Sequence, residues 1–210
     1  MGRNRKSPAS IIGVGAKQFS LTKLDVAEAH IKTAVRLFFD DGHPVTIYTL
    51  ANAAREIVAV IAEKKGVKTV VDEIAAKRGS TSKETIAEGV RIANWLKHAD
   101  RDPTGKLEFK ETDVDAMLQL ACHDFGRVAG GMPIEAQIYE VWVACLAFSK
   151  ISETSLSVKP LLRKALKYFP SLRSASRADQ KRIGKEVLQD CLRDPSLEMK
   201  FSREVRIPTT

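Results

Sequence analysis

Three residues of one predicted helix, Arg91, Asn94 and His98, have side chains that could act together on a phosphate group. Their separations of three, four and seven residues place them on one face of an α-helix within about two turns. Histidine exchanges a proton near neutral pH, and a guanidinium stabilises charge that develops on a phosphate. The pattern predicts a site for metal-independent RNA cleavage, or else an exposed helix face with His98 beside the negative helix end.

The segment directly after this helix has the spacing of a calcium-binding loop. Oxygen-bearing side chains and a glycine occupy the first, third, fifth, sixth, ninth and twelfth places of an EF-hand pattern: Asp100, Asp102, Thr104, Gly105, Glu108 and Glu111. Pro103 at the fourth place and Thr104 at the fifth depart from that pattern, and the sequence has no second loop of this kind. Because Asp, Pro, Thr and Gly also form turns, the segment is either a Ca²⁺ site or a connecting turn. We expect the turn and no cofactor.

Polar residues also interrupt an otherwise apolar helix nearer the N-terminus. Tyr48, Asn52, Arg55 and Glu56 follow one another along this helix at three- and four-residue steps. They either line a cleft shared with His98 or form one buried hydrogen-bond network that fixes how two helices pair.

The elements that must hold these residues are all helical. Apolar residues recur at three- and four-residue steps over most of the chain, and no run alternates with the period of a strand. Breaking and capping residues mark the ends, such as Gly66 after Lys64 and Lys65, and Pro133 before the sixth helix. The predicted helices cover residues 21–39, 46–65, 67–77, 82–98, 112–127, 134–150, 158–169 and 178–193. The fold class is therefore all-α, a helical bundle of about six to eight helices.

The net charge of +8 is distributed unevenly along the chain. Residues 1–20 include four basic and no acidic residues, and residues 158–210 include thirteen basic and six acidic residues. The rest of the chain has seventeen basic and twenty acidic residues and a net charge near −3. We expect a flexible basic arm over residues 1–20, a core bundle over 21–150, basic C-terminal helices docked on the core over 151–195, and a tail over 196–210.

The basic ends favour an acidic partner, such as RNA or an acidic protein surface. The alternative is a charged surface that only keeps the protein soluble. In the C-terminal region, the residues predicted to contact nucleic acid are Lys159, Arg163, Lys164, Lys167, Arg173 and Arg177.

The sequence predicts neither a membrane span nor a disulfide framework. The longest nearly apolar run, residues 141–148, is far shorter than the roughly 20 residues that a span needs. Cys122, Cys145 and Cys191 are odd in number and widely spaced, which predicts buried thiols rather than disulfides or a zinc site. The N-terminus also lacks the apolar core of a signal peptide, so we expect a cytoplasmic protein without a membrane partner.

Two segments, FFDDGHPVTIYTLANAAREI at residues 38–57 and NWLKHADRDP at residues 94–103, resemble an uncharacterised bacterial family of helical proteins. That resemblance covers roughly residues 21–150 and implies no particular activity. A second similarity is to the HEPN superfamily of small up-down helical bundles, many of which are RNases of toxin and phage-defence systems. The HEPN signature is an Arg and a His separated by four to six residues, which Arg91 and His98 satisfy at the upper limit, with Ile92 where HEPN nucleases usually have a polar residue. This resemblance implies a homodimer that pairs two such motifs.

From these features we expect a non-catalytic binding or regulatory protein that contacts RNA or another acidic partner. The first alternative is a HEPN-like endoribonuclease that uses His98 for proton transfer and Arg91 to hold the phosphate. The second is a calcium-responsive protein that binds the ion through residues 100–111.

Overall fold

The structure is a computed structural model that describes residues 19–147 and 166–194, and this part of the chain is helical with no β-strand. The prediction of an all-α bundle is therefore confirmed. Residues 1–18 of the predicted arm lie outside the described residues, as do the predicted tail and most of the predicted helix over residues 158–169. The helices are α1 (Lys23–Phe39), α2 (Pro44–Lys65), α3 (Val70–Arg78), α4 (Ser82–Thr85), α5 (Ala87–Lys97), α6 (Glu111–Ala129), α7 (Ile134–Ala147), a 3₁₀-helix (Leu172–Ser174) and α8 (Arg177–Arg193).

Local capping interactions determine where several helices begin and end. Thr22, Thr69 and Thr81 each accept a hydrogen bond from the backbone N–H three residues later, and the acidic side chain at that position bonds back to the cap. Helix α2 instead begins at Pro44 and ends at Gly66, whose φ of 67° is the left-handed conformation that glycine adopts readily. Each of these signals can be read from adjacent residues, so the predicted bounds of α1 and α2 lie within a few residues of the observed ones.

The prediction of one continuous helix over residues 82–98 is wrong. The chain turns at Ile86, whose φ and ψ are −96° and 0°, and this turn separates α4 from α5. Ile86 still packs against the core, so the apolar pattern continues across the break and does not reveal it. His98 also lies outside the helix, because α5 ends at Lys97 and His98 is its C-cap.

The core forms where α2 packs along α1 and α6 and where α7 packs against α1 and α6. Its centre is a group of four buried rings, the aromatic cluster, formed by Phe38, Phe39, Tyr139 and Trp142. Their ring centroids lie between 5.2 and 6.3 Å apart, mostly edge to face, which is the favoured geometry for aromatic pairs. The three cysteines are buried free thiols, as predicted.

Helix α8 packs on the core through a stacked arginine. The guanidinium carbon of Arg177 lies 5.3 Å from the ring centroid of Phe38 and 5.1 Å from that of Trp142. Its Nη2 donates to both carboxylate oxygens of Asp115 at 2.6 and 2.8 Å. Burial raises the pKa of Asp115, and the charge of Arg177 acts against that shift. Arg177 therefore joins α8 to the aromatic cluster and to α6 together.

A second set of ion pairs joins α8 to the ends of α1 and α6. The buried Lys181 pairs with Asp41 at 2.8 Å and with Glu111. Asp41 follows α1 in a left-handed conformation with a φ of 54°, and its hydrogen bond from Lys181 holds its pKa below the usual value. Lys185 pairs with Asp40 at 2.8 Å. Arg177, Lys181 and Lys185 thus join α8 to the core through ion pairs.

Helix α2 is the one helix of the described residues that is long and apolar enough to cross a membrane. In the bundle it packs against α1 and α6, and Asn52 and Arg55 are among its buried residues. A buried core helix meets the same criteria of length and composition, so this helix alone is weak support for a membrane span.

We predict that Gly184→Ala destabilises the protein although alanine is the better helix former. A Cβ at Gly184 of α8 would lie 2.2 Å from a ring carbon of Phe39, within the aromatic cluster. The expected loss in the free energy of unfolding is about 1–3 kcal/mol, typical of an overpacked core, and it exceeds the helix propensity of alanine, about 1 kcal/mol. Urea unfolding measures this loss. Gly131→Ala is the matched control, because no atom lies within 4 Å of its Cβ position; equal losses in both variants would contradict the packing of α8 on Phe39.

Candidate functional site

The exposed face of α5 holds Arg91 in an ion pair within its own helix. Arg91 Nε and Nη2 donate to the Glu88 carboxylate at 2.8 and 2.6 Å, and the two side chains are 54% and 67% exposed. These hydrogen bonds raise the pKa of Arg91 and lower the pKa of Glu88. The guanidinium that was predicted to hold a phosphate therefore already has a carboxylate partner.

His98 lies at the end of α5, where the backbone leaves the helix. Its backbone N–H donates to the Asn94 carbonyl at 3.0 Å, and its Nδ1 lies 3.9 Å from an Asp100 carboxylate oxygen. No hydrogen bond or ion pair joins the side chains of Arg91, Asn94 and His98 in this described part of the chain. The three residues thus lie near one helix end without forming a connected acid–base group.

The polar residues of α2 connect it to α5. Tyr48 Oη donates to the Gly89 carbonyl at 2.8 Å, and burial raises the pKa of Tyr48 to about 12, so its hydroxyl is a neutral donor. Asn52 Nδ2 donates to Glu56 at 2.9 Å, and Lys97 Nζ donates to both Glu56 carboxylate oxygens at 3.2 and 3.3 Å. Of the two predicted arrangements, these contacts correspond to a hydrogen-bond network that pairs two helices.

Arg55, on the same helix, is poorly hydrogen-bonded for a buried guanidinium. Its Nη2 lies 3.5 Å from Asn52 Oδ1 and 3.9 Å from Glu56 Oε1, and its buried Nε has no hydrogen-bond partner. Burial lowers the pKa of Arg55, and the charge of Glu56 only partly offsets that shift. Buried charges in proteins are normally paired and hydrogen-bonded, so this guanidinium is the least satisfied member of the predicted polar group.

The loop between α5 and α6 does not gather its predicted calcium ligands. Glu111, which would have to close the site at the twelfth place, begins α6 and instead pairs with Arg177 at 3.4 Å and with Lys181. The hydrogen bond from Lys181 holds the pKa of Glu111 below its usual value. Asp102 packs over Gly105, where a Cβ would meet its carboxylate, as in a tight turn. Within residues 19–147 and 166–194, no group of three or more Asp, Glu, His or Cys side chains is placed to hold a metal ion.

The structure describes three of the six C-terminal residues that were predicted to contact nucleic acid. Arg173 Nε donates to the Cys145 carbonyl at 2.9 Å, and Arg177 is stacked and paired within the fold. Lys167 is exposed, with its Nζ 6.0 Å from the ring centroid of Tyr168. The remaining members of the predicted nucleic-acid face lie outside the described residues, namely Lys159, Arg163 and Lys164.

A basic segment, residues 64–83, lies within residues 21–157, the part of the chain whose net charge is near −3. It has two acidic residues, Asp72 and Glu73, and both are engaged: Asp72 accepts from the backbone and hydroxyl of Thr69, and Glu73 accepts from Arg127 at 2.8 and 2.9 Å. The six basic residues of the segment are Lys64, Lys65, Lys68, Lys77, Arg78 and Lys83. Their side chains are all exposed, and none of them forms an ion pair with another described residue. Lys65 also donates to the Val128 carbonyl at 3.1 Å. With six basic and two acidic residues, the segment presents a net positive charge to solvent.

His123 of α6 has surroundings that favour its charged form. Its Nδ1 lies 3.5 Å from Glu140 Oε2, and this interaction raises the pKa of His123, while burial and the charge of Arg127 act in the opposite direction. The folded protein therefore holds this proton more tightly than the unfolded chain does.

We predict that the stabilisation due to His123 disappears at alkaline pH. Because the folded pKa lies above the unfolded value of about 6.5, the contribution is complete below that pH and is lost as the pH rises through the folded pKa. The measurement is the free energy of unfolding of wild type and His123→Gln between about pH 5 and 8. The difference between them should shrink as the pH rises. A difference that stays constant or grows with pH would contradict the His123–Glu140 interaction.

Comparison of the chain with protein-family models, with curated proteins and with solved structures finds no match.

Proposed function

We propose that this protein is a non-catalytic RNA-binding protein whose basic segment contacts the phosphate backbone. The proposal rests on the six exposed basic side chains at residues 64–83, which form no ion pair within residues 19–147 and 166–194. Unpaired Lys and Arg side chains neutralise phosphates and release the counterions that surround a nucleic acid, which drives binding without requiring a pocket.

The distribution of these charges supports contact with a polymer rather than with a single phosphate. They come from the last turn of α2, the connection to α3, the last turn of α3 and the first turn of α4. The four in the last turns also interact favourably with the negative helix ends, which accounts for their positions and leaves their charges exposed.

The contacts on α5 support binding rather than cleavage. Arg91 is paired with Glu88, and His98 lies beyond the helix with no contact to the Arg91 side chain. General acid–base catalysis needs its proton donor and acceptor within hydrogen-bond reach of one reacting group. The paired Arg91 favours a structural role for this face.

The test measures binding and cleavage together, with purified full-length protein, single-stranded RNA and excess EDTA. We expect intact RNA whose mobility on a native gel shifts, with an association constant that falls as the salt concentration rises. Binding that does not depend on salt would contradict phosphate contacts. Absence of RNA binding would overturn the proposal and favour an acidic protein partner.

The same assay detects the alternative activity. RNA cleavage in EDTA that is lost in both Arg91→Ala and His98→Ala would replace this proposal with a HEPN-like metal-independent RNase. The other polar residues near α5, beginning with Tyr48 and Glu56, would then be the next positions to vary.

A further inference from the structure

A cavity of about 380 Å³ lies where α2, α3, α4 and α6 meet, beside the basic segment. Five charged residues line it, namely Arg55, Glu63, Asp72, Lys83 and Asp124, together with the hydroxyls of Thr69 and Ser82 and the apolar side chains of Ala59, Val67, Val71 and Ile86. Arg55 and Asp124 are buried, whereas Glu63 and Lys83 are exposed. Small-molecule sites have volumes from about 300 Å³ upward. The cavity is therefore large enough for a small metabolite.

The guanidinium of Arg55 is a positively charged group in the cavity wall, and it makes few hydrogen bonds. The residue is 9% exposed, its Nε has no partner, and its closest polar contact is the 3.5 Å approach of Nη2 to Asn52 Oδ1. A guanidinium has five N–H donors, so most of its hydrogen-bonding capacity is unused. Withdrawing a charge this far from water is costly unless a partner replaces the water.

Asp124, on α6, also lines the cavity. The residue is 2% exposed, and its Oδ1 accepts a hydrogen bond from the Val70 backbone N–H at 2.7 Å. Among the described residues this is its one hydrogen bond, and no ion pair joins it to Arg55 although both line the same cavity. The two buried charges thus face a shared space, and each keeps unused hydrogen-bonding capacity.

We propose that this cavity binds an aliphatic α-amino acid, whose carboxylate pairs with Arg55 and whose ammonium group pairs with Asp124. A simple anion would satisfy Arg55 but would be repelled by Asp124, and a simple cation would have the converse problem. A zwitterion can pair with both charged side chains at once, and a guanidinium is suited to binding a carboxylate through two parallel hydrogen bonds.

The remaining polar groups of the wall favour an aliphatic side chain on the ligand. The hydroxyls of Thr69 and Ser82 both donate to Asp72, at 2.8 and 2.5 Å, and so are already used within the fold. Of the other charged lining residues, Asp72 accepts these hydrogen bonds, and Glu63 and Lys83 are exposed to solvent. The apolar surfaces available to the side chain of the ligand are those of Ala59, Val67, Val71 and Ile86. Arg55 and Asp124 lie outside residues 64–83, so the proposed ion pairs with the ligand do not involve the side chains that are proposed to bind RNA, although Lys83 also lines the cavity.

The test titrates wild-type protein with L-leucine, isocaproate and isoamylamine, each followed by calorimetry and by thermal unfolding. Isocaproate retains the carboxylate without the ammonium group, and isoamylamine retains the ammonium group without the carboxylate. At about a hundredfold excess over the dissociation constant, L-leucine should raise the midpoint by about 5–10 °C. The two half-ligands should have little effect. Equal shifts with isocaproate would show a site for simple anions and overturn the proposal.

Substitutions in the cavity test whether L-leucine raises the unfolding midpoint by binding there. Arg55→Gln and Asp124→Asn should each abolish the shift with L-leucine, whereas Arg91→Gln, on the exposed face of α5, should leave it unchanged. A circular dichroism spectrum establishes that each variant is folded; if one does not fold, the half-ligand comparison on wild type still decides. The proposal is overturned if L-leucine, L-valine and L-isoleucine all leave wild type unchanged, or if both cavity variants keep the full shift. A shift produced by L-serine or L-glutamine but not by L-leucine would overturn the aliphatic specificity.

Discussion

Trp142→Ala is expected to lower the free energy of unfolding by about 3–5 kcal/mol, the largest loss for any single substitution that we consider here. Trp142 is 1% exposed and contacts the other three rings of the aromatic cluster, with Tyr139 stacked at 5.9 Å. Its Nε1–H donates to the Gln180 carbonyl of α8 at 2.9 Å, and Arg177 lies over its ring. Alanine would leave a cavity and would also remove both of these contacts with α8.

The consequence for α8 can be separated from the general loss of stability. Since a typical domain is stable by about 5–15 kcal/mol, Trp142→Ala leaves little margin, and α8 should become susceptible to limited proteolysis before the rest of the bundle. Trp142→Phe retains an aromatic ring and loses mainly the hydrogen bond to Gln180, so its expected loss is smaller, about 1–3 kcal/mol.

Trp95→Ala is the control for Trp142→Ala, because Trp95 lies on α5 and is 37% exposed. Chemical unfolding followed by circular dichroism should show a loss of about 1 kcal/mol or less for this substitution. Similar losses for the two tryptophans, or a Trp142→Ala variant whose α8 resists proteolysis as wild type does, would contradict the packing described here.

The helices could be predicted largely because their signals are local. The cap at Thr22 with Asp25, and the stop at Gly66 after two lysines, depend on residues within one turn. The break at Ile86 could not be predicted in this way, because the side chain remains apolar and packed while only the backbone angles change. The spacing of apolar and polar residues indicates which face of a helix is buried. It does not change when a single residue between two helices has non-helical backbone angles.

The partners of charged side chains could not be predicted from the sequence. Arg177 was predicted to contact nucleic acid, yet it pairs with Asp115, which lies 62 residues earlier in the chain. Conversely, totals over long segments gave residues 21–157 a net charge near −3 and concealed the basic segment. Which charges are free depends on the tertiary contacts that neutralise the others.

The sequence marked Arg55 as an unusual residue but did not predict the cavity that it lines. Its place in a polar row on an apolar helix marked it as unusual, and the other members of that row do form hydrogen bonds, Tyr48 with Gly89 and Asn52 with Glu56. That Arg55 itself shares a cavity with Asp124, on a helix distant in sequence, follows only from how α2 and α6 pack.

Removal of four charges from the basic segment is expected to weaken RNA binding by about a hundredfold. The variant combines Lys64→Gln, Lys68→Gln, Lys77→Gln and Arg78→Gln, and it retains Lys83 because that residue also lines the Arg55 cavity. Four exposed contacts of about 0.7 kcal/mol each correspond to that loss of affinity. The salt dependence is the sharper measurement: each lost phosphate contact should reduce the slope of log K against log salt by about 0.7 for a single strand.

The matched control removes the same total charge from side chains that already have carboxylate partners. Lys32, Arg91, Arg182 and Arg193 each pair with a carboxylate of their own helix, so their replacement by Gln changes the net charge equally without removing a cation that lacks an ion pair among the described residues. If local contacts determine binding, this control should keep most of the affinity and the wild-type salt slope, because the replaced side chains are already paired with carboxylates in the free protein. If the two quadruple variants lose affinity equally, RNA responds to the overall charge of the protein, and residues 64–83 are not its binding surface.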